Sequence, residues 1–262
     1  MKSIVIEAPP TILEVEELTV LRSGKTVLNN IDLRINKGEF VGIVGPNGSG
    51  KSTLLLAILG ILKSHKGSIR IYNSPPMSRK LDGRIGWVSQ AASNLPKNVK
   101  VTVRELVRLG TLNSKNMFWR DRNREELVDK AIEMVDLKAV ENVNVGRLSG
   151  GQRQRAVIAR ALASNAEFIL FDEPLVGIDR DARNSILKLL DNLCHNEGKT
   201  ILMVSHDLTA MRQTAHRLIF LEESIQFDGV TENFPDLVSL ADLRGIKPVH
   251  CDDHDHDHSK EE

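Results

Sequence analysis

Phe40-Val41-Gly42-Ile43-Val44-Gly45-Pro46-Asn47-Gly48-Ser49-Gly50-Lys51-Ser52 is an apolar run that opens into a glycine-rich loop and closes on lysine and serine. Residues 45–52 fit the spacing G-x-x-x-x-G-K-[ST], and residues 53–62, from Thr53 onward, continue in a helical pattern. Strand, loop and helix in that order is the setting in which such a loop wraps phosphate. Gly45, Gly48 and Gly50 let backbone N–H groups converge on phosphate oxygens, with Pro46, Asn47 and Ser49 filling the loop between them. The helix beginning near Ser52 adds the positive end of its dipole, about half a charge. Lys51 is then placed to pair with β- and γ-phosphates. Ser52 can offer a hydroxyl to Mg²⁺, which prefers near-octahedral oxygen ligation and few protein groups.

Phe168-Ile169-Leu170-Phe171-Asp172-Glu173 reads as a buried parallel strand that ends in two carboxylates. Beside a phosphate loop, Asp172 is expected to hold Mg²⁺ and Glu173 to orient or deprotonate the water attacking the γ-phosphate. Leu148-Ser149-Gly150-Gly151-Gln152 lies between the two elements. Its small residues permit close backbone approach, and Ala156, Val157, Ile158, Ala161 and Leu162 after it form a plausible buried helix face.

The loop, Gln90, residues 148–152, Asp172-Glu173 and His206 stand in the order and spacing of ATP-binding-cassette (ABC) ATPases, and the chain resembles that family from about residue 12 to 230. Around residues 171–179 it is similar to the zinc and manganese uptake branch. The resemblance implies an α/β fold: a P-loop nucleoside-triphosphatase core with a mixed, mainly parallel sheet, an antiparallel β-subdomain and an inserted α-helical subdomain. The implied organisation is an N-terminal extension (1–11), an ATP-binding domain (12–232) with its helical subdomain at about 91–165, a C-terminal segment (233–248) and a tail (249–262). In the family, the signature at Ser149, Gly150, Gly151 and Gln152 faces the γ-phosphate held by the opposite subunit, so hydrolysis needs a head-to-tail homodimer. Gln90 is implied to touch Mg²⁺ or the attacking water, His206 to contact the γ-phosphate, and Asp179 to lie at the dimer interface. Arg22 stands where most members stack an aromatic ring on adenine; a guanidinium plane can also stack on a base. This arrangement predicts ATP over GTP with modest selectivity.

The implied activity is ATP hydrolysis coupled to import of a divalent transition metal, zinc preferred and manganese next. Integral membrane permease subunits and an extracytoplasmic metal-binding protein are the implied partners, with no nucleic acid, and the implied location is the cytoplasmic face of the membrane. The alternatives are a soluble ABC ATPase without a pore, as in metallocluster assembly, and an ABC transporter of another substrate.

Composition agrees with one large α/β domain: 262 residues, 41% hydrophobic, with a single motif set. The longest apolar run, residues 54–62, is too short to span a bilayer. Residues 1–10 contain Glu7 and two prolines where a signal peptide needs an apolar segment. Two cysteines, Cys194 and Cys251, give no disulfide framework and suit a reducing compartment. Within the insertion, Thr102 and Glu105 have capping-box spacing, and residues 121–135 show helical periodicity through Leu127, Ala131, Met134 and Val135. Met117-Phe118-Trp119, among Lys115, Arg120 and Arg122, reads equally as buried packing or as a seat for the membrane partner.

His250, Cys251, His254, His256 and His258 are interleaved with Asp252, Asp253, Asp255 and Asp257. Imidazole and thiolate suit borderline ions such as Zn²⁺, and this composition can build no core. The tail is therefore expected to be disordered until something binds it; a transition-metal ion such as Zn²⁺ is one reading, and a solubilising acidic end or an added tag is the other. Residues 249–262 hold six of the 35 acids and one of the 35 basic residues, which leaves residues 1–248 with 34 basic against 29 acidic side chains. The net zero is a mildly basic body joined to an acidic end.

Overall fold

The computed structural model describes residues 9–90, 100–112 and 123–235. Strands β1 (Thr11–Arg22) and β2 (Lys25–Asn36) form an antiparallel hairpin, and β3 (Phe40–Val44) leads into the phosphate loop. β4 (Lys66–Ile71) pairs with the free edge of β1, completing a three-stranded antiparallel sheet. The second sheet runs β5 (Ile85–Val88), β6 (Phe168–Asp172), β7 (Thr200–Val204), β3, β8 (Arg217–Glu222), β9 (Ser224–Val230), parallel throughout except for β8 with β9. This is the mixed, mainly parallel sheet expected from the sequence.

The central strands are continuous apolar runs because both of their faces are covered. Side chains alternate between two cores. Phe40, Ile169, Phe171, Ile201 and Met203 join one core with helices α2 (Val103–Leu109), α3 (Arg124–Met134), α4 (Gly150–Leu162), α5 (Arg180–His195) and α6 (Leu208–Thr214). Val41, Ile43, Phe168, Leu170, Leu202 and Val204 join the other, against the antiparallel sheet and helix α1 (Lys51–Ile58).

Two helices differ from their sequence pattern. α1 stops at Ile58 rather than continuing to Leu62. Gly60, at φ 74°, takes the left-handed conformation, its N–H donates to Ala57 O at 2.9 Å, and Ile61 N–H donates to Leu56 O at 2.9 Å. That is a Schellman closure, which satisfies the last carbonyls and ends the helix. In α3 the buried face is Val128, Ala131, Ile132 and the following Val135, whereas Leu127 and Met134 are only half-buried. The stripe is turned by one position from the one read in the sequence, because Val128 and Ile132 occupy the i and i+4 positions facing the core. α2 begins as expected, with Thr102 and Glu105 in a reciprocal capping box. The cluster 117–119 and the tail lie outside the described residues.

Among the described residues, no helix is long and apolar enough to cross a membrane. α2 and α4 approach so closely that a Cβ on Gly110 would sit 1.8 Å from the Arg160 carbonyl oxygen. Gly110→Ala is therefore expected to destabilise the chain by about 1–3 kcal/mol. Denaturant unfolding checks this, and an unchanged midpoint would show that the two helices can part without cost.

Candidate functional site

The end of β3 turns directly into the phosphate loop, whose shape only small residues allow. Gly50 has φ 98° and caps α1, and a Cβ there would lie 2.6 Å from Leu28 and 2.9 Å from the Val27 carbonyl. Lys51 is buried, and its Nζ donates to the carbonyls of Gly45 at 2.9 Å and Pro46 at 2.8 Å. An ammonium has three donors, so one remains for a phosphate oxygen. Burial holds the Lys51 pKa below the usual lysine range, with Glu173 and Asp172 acting in the opposite direction.

A cavity of about 470 Å³ opens over this loop, lined by Asn47 to Thr53 and also by Arg22, Val27, Gln90 and Glu173. Arg22 ends β1 at the tip of the hairpin, opposite Lys25. Val27, across the same hairpin, is a lining residue that motif reading missed; its sole signal was its place beside Arg22. Gln90 reaches the cavity from the segment after β5.

The two carboxylates at the end of β6, Asp172 within it and Glu173 just past it, point to different tasks. Asp172 Oδ1 accepts the Ser52 hydroxyl at 2.9 Å. Two oxygens sharing an edge of a Mg²⁺ octahedron, each about 2.0–2.1 Å from the ion, are also about 2.9 Å apart, so the pair fits that ion. Burial raises the Asp172 pKa; the Ser52 hydrogen bond and Lys51 oppose this, while Glu173 adds to it. Glu173 adopts the left-handed region at φ 52°, a conformation costing a non-glycine residue about 1 kcal/mol or more. Its N–H donates to Val204 O at 3.0 Å, so the turn is fixed by the neighbouring strand. The turn brings Glu173 to the cavity wall. There Glu173 Oε2 lies 2.7 Å from His206 Nδ1 and accepts the His206 backbone N–H at 3.3 Å.

Ser149, Gly150, Gly151, Gln152 and Asp179 are gathered elsewhere. Ser149 caps α4 and exchanges hydrogen bonds with Gln152 in a capping box. Asp179 caps α5 by accepting Ala182 N–H at 2.9 Å. The two caps adjoin, since a Cβ on Gly151 would fall 2.5 Å from Ala182 Cβ and one on Gly150 would fall 3.6 Å from Gly177 O. None of these five residues lines the loop cavity.

One further His/Asp group lies outside both clusters: ligand atoms of Asp191, His195 and His216 are within 4.8 Å of one another. His216 Nδ1 accepts the Phe40 N–H at 3.3 Å, which commits that nitrogen to the start of β3. A neutral ring then carries its proton on Nε2, so the arrangement is a hydrogen-bonding anchor for the strand.

A loop with a buried lysine at the end of a parallel strand, and a hydroxyl–carboxylate pair formed by the next residue and the end of a second parallel strand, defines a P-loop nucleoside triphosphatase. The family model described as ABC transporter matches residues 28–176. The zinc uptake system ATP-binding protein ZurA of Listeria innocua is 38% identical, covering 88% of this chain and 91% of its own. The manganese transport system ATP-binding protein MntB of the same species is 37% identical, covering 84% and 90%. A dimeric ATP-binding cassette solved after hydrolysis with ADP and Pi is 31% identical, covering 85% of this chain and all of its own, with a TM-score of 0.73. A metal-chelate type ABC transporter in an inward-facing conformation is 27% identical, covering 90% of each chain, with a TM-score of 0.77. The chain belongs to the ABC transporter family and is one of its ATP-hydrolysing chains.

The raised pKa of Asp172 gives a stability prediction. A carboxyl whose folded pKa lies above its unfolded value stabilises the fold at low pH and loses that contribution as pH rises through the folded pKa. Once ionised, Asp172 is therefore a net cost to the nucleotide-free protein. Asp172→Asn, which can still accept from Ser52, should raise Tm at pH 7, and the gain should shrink on acidification; a lower Tm at pH 7 would contradict it.

Proposed function

We propose that this chain is the ATP-hydrolysing subunit of an importer for divalent transition-metal ions, zinc preferred and manganese next. The cargo rests on one observation: relatives named for zinc uptake and manganese transport match 84–88% of the chain at 37–38% identity. In this reading residues 12–232 are the ATP-binding domain, with its helical subdomain at about 91–165. The chain works as a homodimer on the cytoplasmic face of the membrane, with integral permease subunits and an extracytoplasmic metal-binding protein.

Residues 45–53 hold the triphosphate and Arg22 stacks on adenine. Ser52, Asp172 and Gln90 hold Mg²⁺, which offsets phosphate charge. Glu173 orients the attacking water, a role supported by its place on the cavity wall. His206, bonded to Glu173, fixes that carboxylate and reaches the γ-phosphate. Ser149, Gly150, Gly151 and Gln152 close over the nucleotide of the partner subunit, and Asp179 joins that interface; two adjacent helix N-termini suit an anion. The tail ligands His250, Cys251, His254, His256 and His258 bind Zn²⁺ near the transport path.

Glu173→Gln keeps the side chain's size and removes its charge. ATP hydrolysis should fall by about 100-fold or more, while ATP binding persists and the dimer becomes long-lived on size exclusion. A variant with normal turnover removes Glu173 from the mechanism. The cargo is tested by the zinc, manganese, iron, cobalt and nickel content of metal-limited cells carrying wild type or Glu173→Gln. Selective loss of zinc is expected; an unchanged metal profile rejects metal import.

A further inference from the structure

Helices α5 and α6 enclose a groove on the outer surface, in two adjoining parts of about 370 and 260 Å³ that share Arg180, Asn184, Leu187 and Gln213. Its charges are uneven. Arg183 is paired with Asp207 at 2.7 Å, and Asp191 lies 3.1 Å from His195. Arg180 and Lys188, by contrast, are exposed and form no ion pair among the described residues. The groove therefore carries two cations without an ion-pair partner, two helix turns apart on α5, against the single carboxylate of Asp191, which His195 offsets only when protonated; Asn184 and Gln213 flank them and Leu187 floors the groove.

The described chain ends beside this groove. Arg212 of α6 donates to the carbonyls of Phe234 at 3.0 Å and Pro235 at 2.9 Å, so the chain leaves at the residue next to Gln213 and Thr214 of the groove wall. Residues 249–262 carry six acids against Lys260. Asp252 is 17 residues beyond Pro235, a span reaching up to about 55 Å when extended. We infer that the acidic, histidine-rich tail of the same chain docks in the α5–α6 groove, its carboxylates paired with Arg180 and Lys188. Exposed ion pairs are individually weak, so docking depends on several at once and on a tether that keeps the local tail concentration near millimolar. It is also screened by salt. The groove adjoins the catalytic end of the sheet, because Asp207 in its wall follows His206 directly. A tail seated there lies against the two helices that begin just after Glu173 and His206.

The test uses the full chain, free of transition metal, with a fluorophore on Cys251; Cys194 is buried, and its thiol pKa is pushed up to about 11 by burial, so it stays unlabelled. Anisotropy should be high at low ionic strength and fall in 0.5 M salt, which is about a 4 Å Debye length. It should also fall in the Arg180→Gln/Lys188→Gln variant, whose exposed positions tolerate the change. Carbodiimide should join a tail carboxylate to Lys188 within one chain, at least about tenfold more than to other exposed lysines. Equal labelling of all lysines, or anisotropy unaffected by the double variant, overturns the inference. Cross-links between isotopically distinct chains would assign the groove to a second copy instead and likewise overturn it. Adding Zn²⁺ separates this inference from the metal-binding role proposed for the tail: if the double variant lowers anisotropy but zinc changes nothing, docking stands and that metal-binding role fails.

Discussion

Burial of β3 between β7 and β8, with both of its faces covered, is the constraint on which the site depends. A strand with no solvent-facing side must be apolar along its length, so polar chemistry can begin only where the strand ends. Phe40–Val44 obeys this, and the loop starts at the next residue. β6 and β7 are parallel to β3 and in register with it, so their ends deliver Asp172, Glu173 and His206 to the same edge. The sheet sets the positions and the turns after it set the directions.

Electrostatics at that edge is a balance of buried charges. Lys51 lies below its ordinary pKa and Asp172 above its own, each chiefly through burial. Such a pair is poor evidence for stability, because desolvation offsets much of the attraction. It is better understood as preorganisation. The lysine is held by two carbonyls and the carboxylate by one hydroxyl, so little reorganisation is needed when a highly charged ligand arrives. The left-handed Glu173 fits the same account: a small conformational cost, fixed by β7, separates two adjacent carboxylates into distinct positions.

What the sequence made legible follows from how local each signal is. The loop, the strand ends and the capping box at Thr102 depend on residues within a few positions of one another, and they appear where the spacing puts them. The end of α1 was misread because Ile61 and Leu62 continue an apolar run, while the decisive residue is Gly60, whose left-handed turn closes the helix. The buried stripe of α3 was misread by one position because several rotations are equally apolar, and only packing against α2 and α4 selects Val128 and Ile132. Val27 and the Asp191–His195–His216 cluster belong to no motif, since hairpin register brings Val27 to the cavity and His216, just before β8, meets Asp191 and His195 of α5 only in the folded chain.

The same reasoning explains why α5 connects parts of the molecule that share no motif. Its 16 residues span about 24 Å, from the Asp179 cap beside the signature glycines to His195 near the far end of the sheet. Along one side it buries Ile186, Leu190 and Leu193 in the core, so it can move only with the sheet or by breaking that packing. The Arg183–Asp207 pair ties its first turns to α6, which begins immediately after His206. A load on the outer face of α5 is thus transmitted as a rigid-body displacement to both the cap at Asp179 and the segment carrying His206. No chain of side-chain rearrangements is needed between them, because a packed helix of this length is itself the connection.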